Sequence, residues 1–346
     1  MINQRLFDWY GIDTNKNLAL KTFCPRPFDT ILIDKNGTCF ACECTAWLPQ
    51  SVGNLHLQSL KDIINSPMSK HLQNSIIDGS YRYCNEKNCS YILAQETQEY
   101  HFKKRIPESK NKTLRLAIDD SCNLQCPSCR NKKIFEKSGS KFNSRIRLAD
   151  KIIDYISGSK DTIDVHVGSD GDPFASLIYR YFIRKTKNFD NIKYSIQTNG
   201  LLIKKMYDKN KTMFDKLKVL NLSIDGASAA TYENLRLGGK FENIIDNLEF
   251  ITKISKKNFL LILHVVLQKK NFKEIFTFID MAKKYNFDRI YFNKIQNWNT
   301  NLNYAEENIF DPSHRNHKEL ESYINEIMKI RNTYPKKFIE GTAIPY

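Results

Sequence analysis

The chain has 346 residues, 41% of them hydrophobic, with nine cysteines and a formal net charge of +15. No run of about 18 apolar residues occurs, so no membrane-spanning helix is expected. The opening residues, Met-Ile-Asn-Gln-Arg-Leu-Phe-Asp, lack the apolar stretch of a signal peptide. An odd number of clustered cysteines reads as reduced, metal-binding thiols in the cytoplasm rather than as disulfides. The positive charge comes from 39 Lys against 14 Arg, scattered among Asn and Ile. Without an Arg-rich stripe it reads as composition, and nucleic acid is not the expected partner.

Residues 1–100 hold Cys24, Cys39, Cys42, Cys44, Cys84 and Cys89. The apolar run 28–33 predicts a strand, 34–37 a tight turn at Gly37, and 38–42 the return strand of a hairpin. The stretch 59–66 predicts a short helix that Pro67 ends or kinks. A hairpin and one helix are too small to build a large core, so a metal centre is expected to staple them. Zinc tolerates four thiolates as well as an iron–sulfur cluster does, and the sequence does not separate the two. Residues 101–113 are charged, contain Pro107 and read as a linker.

From 114 onward, strands are expected near 114–118, 162–167, 193–197, 218–223, 259–266 and 288–293. Helices are expected near 146–157, 174–187, 202–214, 240–254, 271–285 and 315–331. Such alternation predicts βαβ units and a parallel sheet, with ligands bound where the strands end. Residues 299–346 carry one amphipathic helix and no Cys, and His314 and His317 read as surface histidines.

The decisive stretch is 114–130. A short strand feeds a loop with Cys122, Cys126 and Cys129 in the spacing Cys-x3-Cys-x2-Cys. Three thiolates on one loop converge on one soft metal centre and leave a 4Fe–4S cluster one ligand short. The second strand is followed by Gly168-Ser169-Asp170-Gly171-Asp172-Pro173, the third by Thr198-Asn199-Gly200, and the fourth ends at Ser223, with Arg236 beyond. Gln268, Asn293 and Trp298 follow the last strands and are candidates for the mouth of the fold, with packing at an open edge as the alternative for Trp298.

The cysteine loop and the order of these strand-end motifs resemble the radical S-adenosylmethionine (radical SAM) enzymes over residues 114–298. The resemblance implies a partial (β/α)6 barrel whose three Cys hold a 4Fe–4S cluster bound by SAM. It implies reductive cleavage of SAM to a 5′-deoxyadenosyl radical that abstracts a substrate hydrogen, with no protein side chain assigned as catalytic. Gly171 and Asp172 stand where the family has Gly-Gly-Glu-Pro, and the resemblance places Thr198, Ser223 and Arg236 at SAM as well. The aromatic residue that usually precedes the last Cys is Ser128 here. Cys24-x12-Gly37-x4-Cys42 resembles the opening of a SPASM auxiliary-cluster domain, placed before the core instead of after it. That resemblance implies one auxiliary Fe–S cluster on Cys24, Cys42, Cys84 and Cys89. Cys44 is held in reserve and Cys39 read as a buried core thiol. The implied partners are a small-molecule or peptide substrate, tilted toward a sugar-type molecule because only 23 residues precede Cys24, and an electron donor such as flavodoxin or ferredoxin. The rival reading is a Cys-rich zinc protein that binds nucleic acid through its basic surface.

Overall fold

A computed structural model describes residues 4–20, 23–87, 89, 92, 111–254 and 258–344. The expected linker lies outside the described residues up to position 110. The chain divides into two compact units. One comprises Met1–Asp120, Glu136–Gly171 and Ile178–Tyr194; the other comprises Ser121–Phe135, Asp172–Leu177 and Ser195–Tyr346.

In the first unit the hairpin forms because Asp34 is placed to close it. Its carboxylate accepts the amide N–H groups of Asn36 and Thr38, each at 2.8 Å. Gly37 supplies the left-handed turn residue at φ +77°. Strand β1 (Thr30–Asp34) pairs antiparallel with β2 (Thr38–Phe40), and β2 with β3 (Ser51–Asn54). On its other side β1 runs parallel to β4 (Asn111–Ala117), in register from Thr30 opposite Thr113 to Asp34 opposite Ala117. Strand β4 in turn runs parallel to β5 (Thr162–Val167), giving the order β3-β2-β1-β4-β5. The helix Ser140–Ser157 buries Arg145, Leu148, Ala149, Ile152 and Ile156, the single stripe expected of an amphipathic helix.

Strand β6 (Ile192–Thr198) carries the chain from the first unit into the second. There β7 (Leu217–Ser223), β8 (Leu260–Leu267), β9 (Arg289–Lys294) and β10 (Ile339–Glu340) complete the order β6-β7-β8-β9-β10. The pairs β7–β8, β8–β9 and β9–β10 are parallel. One face of these strands, with Leu220, Leu222, Leu261, Leu263, Val265, Ile290 and Phe292, is fully buried. All six expected βα repeats are present, β4 to β9.

Several local expectations are corrected. The short helix expected over 59–66 forms as Leu60–Ile64, capped by Ser59, and ends before Pro67, which also begins a second helix that was not expected. Ser66 caps Pro67–Ile77 by accepting the Ser69 N–H at 3.1 Å, and proline at the first helical position gives up no bond. The helix expected over 202–214 is two, Ile203–Tyr207 and Lys211–Asp215, because Asn210 donates back to the Met206 carbonyl at 3.1 Å and breaks the ladder. The helix expected from 146 starts at Ser140, after Gly139 at φ +92°. Strand β3, the helix Ala229–Leu235 and strand β10 were not expected.

Candidate functional site

The loop after β4 lies in the second unit and is held by main-chain bonds. Cys122 N–H donates to Ile134 O at 2.9 Å, Gln125 N–H to Leu237 O at 3.0 Å, and Cys129 N–H to Cys126 O at 3.0 Å. Cys122 and Cys126 are buried and Cys129 is exposed. Each sulfur meets nitrogen donors. Cys122 Sγ faces Leu124 N–H at 3.4 Å and Asn199 Nδ2 at 3.8 Å. Cys126 Sγ faces Arg236 Nη1 at 3.9 Å, and Cys129 Sγ faces Arg130 Nη2 at 3.6 Å. The Arg130 guanidinium, which burial alone would make less basic, is held more basic by all three thiols. Donors and cations gathered around sulfur fit negatively charged, metal-bound thiolates. Burial pushes the Cys122 thiol up to about 11, helped by Asp172, and burial also raises Cys126. A metal centre therefore has to displace protons to bind here.

Asp172 ties the turns after β5 and β6 together. One carboxylate oxygen accepts Phe174 N–H at 3.0 Å and Ala175 N–H at 3.1 Å; the other accepts the Thr198 hydroxyl at 2.7 Å and Asn199 N–H at 2.8 Å. Burial raises its pKa, and these donors oppose the rise. The preceding Gly171 adopts φ +70°. Two residues that were not singled out from the sequence stand here. Asn199 bridges Cys122 and Asn123 Oδ1, the latter at 2.8 Å. Asp225 pairs with Arg236 at 2.8 Å. The sequence signals were the Thr-Asn-Gly turn and the Asp-Gly after β7, both of which are common in ordinary turns.

The other face of β6 to β9 in this unit sets polar side chains among Val219, Ile262 and Val266. Gln197 donates to Ser223 Oγ at 3.5 Å. His264 sits 3.2 Å from Asn221 Oδ1 and 3.5 Å from Asn293 Nδ2, and stacks on Tyr291 with centroids 5.1 Å apart and 9° between planes. Gln268 is buried and its Nε2 has no hydrogen-bond partner among the described residues. Trp298 is 69% exposed and packs no edge. His314 and His317 each bond a backbone carbonyl, of Glu306 and Ile309.

Burial pushes the His264 imidazole from its ordinary 6.5 down to about 4. Between those values the unfolded chain binds a proton that the folded chain refuses, so stability rises with pH through the window and is lost as pH falls toward 4. At 1.36 kcal/mol per pKa unit the difference is about 3 kcal/mol. Urea unfolding at pH 7 and near pH 4 checks this: His264→Gln is expected to lose about that much less stability on acidification than the wild type. Equal losses would show the imidazole to be solvated.

In the first unit Cys24, Cys42, Cys84 and Cys89 are all buried. They act on one another: burial raises Cys84, and Cys24, Cys42 and Cys89 raise it further. Cys42 is pushed up to about 12, by burial first and by Cys89 among the rest. Tyr81 joins their segments, since its hydroxyl accepts Cys24 N–H and its carbonyl accepts Cys84 N–H, each at 2.9 Å. It does so at φ +47°, a strained conformation for a tyrosine. Cys39 is fully buried, with its thiol on Gly37 O at 3.5 Å; Cys44 is half-buried. Among the described residues no three His, Cys, Asp or Glu side chains are arranged to hold a single metal ion. A four-iron cluster, whose ligating sulfurs stand farther apart, asks for a wider set.

The model of the radical SAM superfamily matches residues 118–292, just over half of the chain. The chain belongs to the radical SAM superfamily. The SPASM iron–sulfur cluster-binding domain matches residues 24–90, N-terminal to the radical SAM domain. Radical SAM domains carry a 4Fe–4S cluster and SAM, and SPASM domains an auxiliary Fe–S cluster. Among curated proteins the chain is 28% identical to a GTP 3′,8-cyclase of Lactiplantibacillus plantarum, over 49% of this chain and 50% of that one. It is 28% identical to the GTP 3′,8-cyclase of Limosilactobacillus fermentum over the same shares. The chain thus spans about half the length of the curated relatives it matches. Streptococcus suis SuiB bound to precursor peptide SuiA aligns with 66% of this chain and 48% of its own, at 14% identity and a TM-score of 0.44, which adds no weight. No helix among the described residues is long and apolar enough to cross a membrane.

Proposed function

We propose that this chain is an enzyme that cleaves SAM reductively and uses the product radical to abstract hydrogen from a polar small molecule. Residues 114–298 act as the core, 1–100 as the auxiliary-cluster domain, 101–113 as their linker and 299–346 as a C-terminal extension. The observation that carries the reading is the Cys122–Cys126–Cys129 loop, in which every sulfur is met by a nitrogen donor. When bound, the cluster and SAM supply a 5′-deoxyadenosyl radical. The chain's own residues do the rest. The three Cys thiolates hold the cluster and leave one iron open. Arg130 and Arg236 neutralise the negative charge there, and Asn199 donates a hydrogen bond to it. Asp172 fixes the turn that presents Thr198, while Gly171 lets main chain approach the ligand. Ser223 and Arg236 face SAM. Cys24, Cys42, Cys84 and Cys89 hold the auxiliary cluster. A one-electron donor protein of the flavodoxin or ferredoxin kind completes the cycle in the cytoplasm.

The face of β6 to β9 that carries Gln197, Asn221, Ser223, His264, Tyr291 and Asn293 offers a row of neutral polar groups, with the Arg289–Glu340 ion pair beside Tyr291. It supports an uncharged, hydroxyl-bearing substrate of sugar type. The relatives named for GTP share only half their length with this chain, and a triphosphate asks for several cations where this row offers one, Arg289, already paired with Glu340. A peptide remains the second reading. A zinc protein binding nucleic acid predicts colourless protein. The test is anaerobic reconstitution followed by dithionite and SAM: brown protein that slowly releases 5′-deoxyadenosine is expected, and colourless, zinc-loaded protein without SAM cleavage overturns the proposal.

A further inference from the structure

We infer that Arg236 sets the electron affinity of the cluster held by Cys126, and that Asp225 is a positioning residue that sets how much of the Arg236 charge the cluster feels. This rests on the reading of Cys126 as a cluster ligand. Arg236 ends the helix Ala229–Leu235 and turns its guanidinium back toward the cysteine loop. Nη2 pairs with Asp225 Oδ2 at 2.8 Å, Nη1 lies 3.9 Å from Cys126 Sγ, and Nε is buried without a hydrogen-bond partner among the described residues. The side chains are 12% and 4% exposed, so water screens them little.

The carboxylate is locked in place. Asp225 Oδ1 accepts Val266 N–H at 2.9 Å, and Asn271 Nδ2 clamps the Asp225 carbonyl at 2.9 Å. Gly226 makes the turn possible, since a Cβ there would stand 2.2 Å from Tyr232 N. The guanidinium brings a positive charge to 3.9 Å from Cys126 Sγ, and the carboxylate on its other nitrogen opposes that charge. An added electron on a cluster is one more negative charge at the same place. The cation therefore favours reduction and the anion disfavours it, through the charge and hydrogen-bond effects that tune such clusters. Reduction here takes up one electron from dithionite, or from a one-electron donor protein, and releases nothing.

The experiment is a redox titration of the anaerobically reconstituted full-length chain, followed by electron paramagnetic resonance, with SAM omitted so that its binding does not contribute. The signal of this cluster is the one absent from the Cys122→Ala/Cys126→Ala/Cys129→Ala protein. Arg236→Gln is expected to lower the midpoint, making the cluster roughly tenfold harder to reduce at fixed poise, about 59 mV for a one-electron couple. Asp225→Asn keeps an oxygen for Val266 N–H and is expected to raise the midpoint. Arg236→Lys keeps the charge and should restore much of the loss. Unchanged midpoints, or shifts of the same sign in Arg236→Gln and Asp225→Asn, overturn the inference. So does loss of the cluster in Arg236→Gln with an unchanged midpoint in Asp225→Asn, which would make the pair an architectural support. Wild-type iron in the triple cysteine variant is a different failure: it removes the cluster from Cys126 and with it the proposed function.

Discussion

Replacing Cys122, Cys126 and Cys129 together with Ala is expected to remove about half of the iron, from about eight atoms per chain to about four, and all SAM cleavage. Apart from the Leu124 N–H on Cys122 Sγ, the main-chain bonds that hold the loop do not involve the thiols, so the fold should survive. Cys122 N–H still reaches Ile134 O and Gln125 N–H still reaches Leu237 O. What is lost is the anionic set toward which Asn199, Arg130 and Arg236 point. Each donor loses its sulfur partner, while Asn199 keeps Asn123 Oδ1 and Arg236 keeps Asp225, so only a small drop in stability accompanies the loss of function. Iron analysis and chromatographic assay of 5′-deoxyadenosine check this on one preparation. Full iron with SAM cleavage intact would sink the assignment of this loop.

The loop was legible in the sequence because three soft ligands at fixed short offsets leave little room for another reading, and the repeats were legible because their strands are dense apolar runs. What stayed hidden depends on partners distant in sequence. The parallel pairing of Thr30 with Thr113 has no local signature. Strand β3, Ser-Val-Gly-Asn, buries only Val52 and so carries no alternation to detect. Strand β8 reads as one apolar run, Leu-Leu-Ile-Leu-His-Val-Val-Leu. Only its register, with Ser223 and Tyr291 flanking His264, assigns that histidine to a polar face. Asp225 looked like half of a turn until the helix after it brought Arg236 back to its carboxylate.

The same pairing changes what an N-terminal cluster is expected to do. A hairpin and a helix stapled by metal would be a module that melts alone. Here β1 is bonded to β4 over five residues, and Lys35 of the hairpin turn pairs with Asp120 at 2.7 Å. Arg145 holds the same carboxylate at 2.8 Å and contacts buried Asp119. The hairpin is thus tied to the end of β4 by charge as well as by backbone, and loosening it should be felt there.

Cys84→Ala is therefore expected to lose the auxiliary iron, about four atoms, and to loosen more than the segment that carries it. Of the four buried thiols, Cys84 is raised by Cys24, Cys42 and Cys89 together, so its removal opens the set they form. Without metal, the left-handed strain of Tyr81 is no longer offset by the cluster that its bonds to the Cys24 and Cys84 amides help to frame. Hydrogen exchange should rise first around Tyr81 and Cys42, then along β1 and β2, and in part in β4 through its pairing with β1. Strands β7, β8 and β9 lie in the other compact unit and should keep their protection. Cleavage of SAM without substrate should persist, while turnover of the true substrate falls. Cys39→Ala is the control: its thiol is fully buried and bonds backbone at Gly37 O and Leu55, so about 1 kcal/mol of packing should go and no iron with it. If Cys39→Ala strips the auxiliary iron while Cys42→Ala retains it, the ligand set in the hairpin is wrong. If exchange rises only before residue 60 and β4 stays fully protected, the tie between hairpin and core carries no energy.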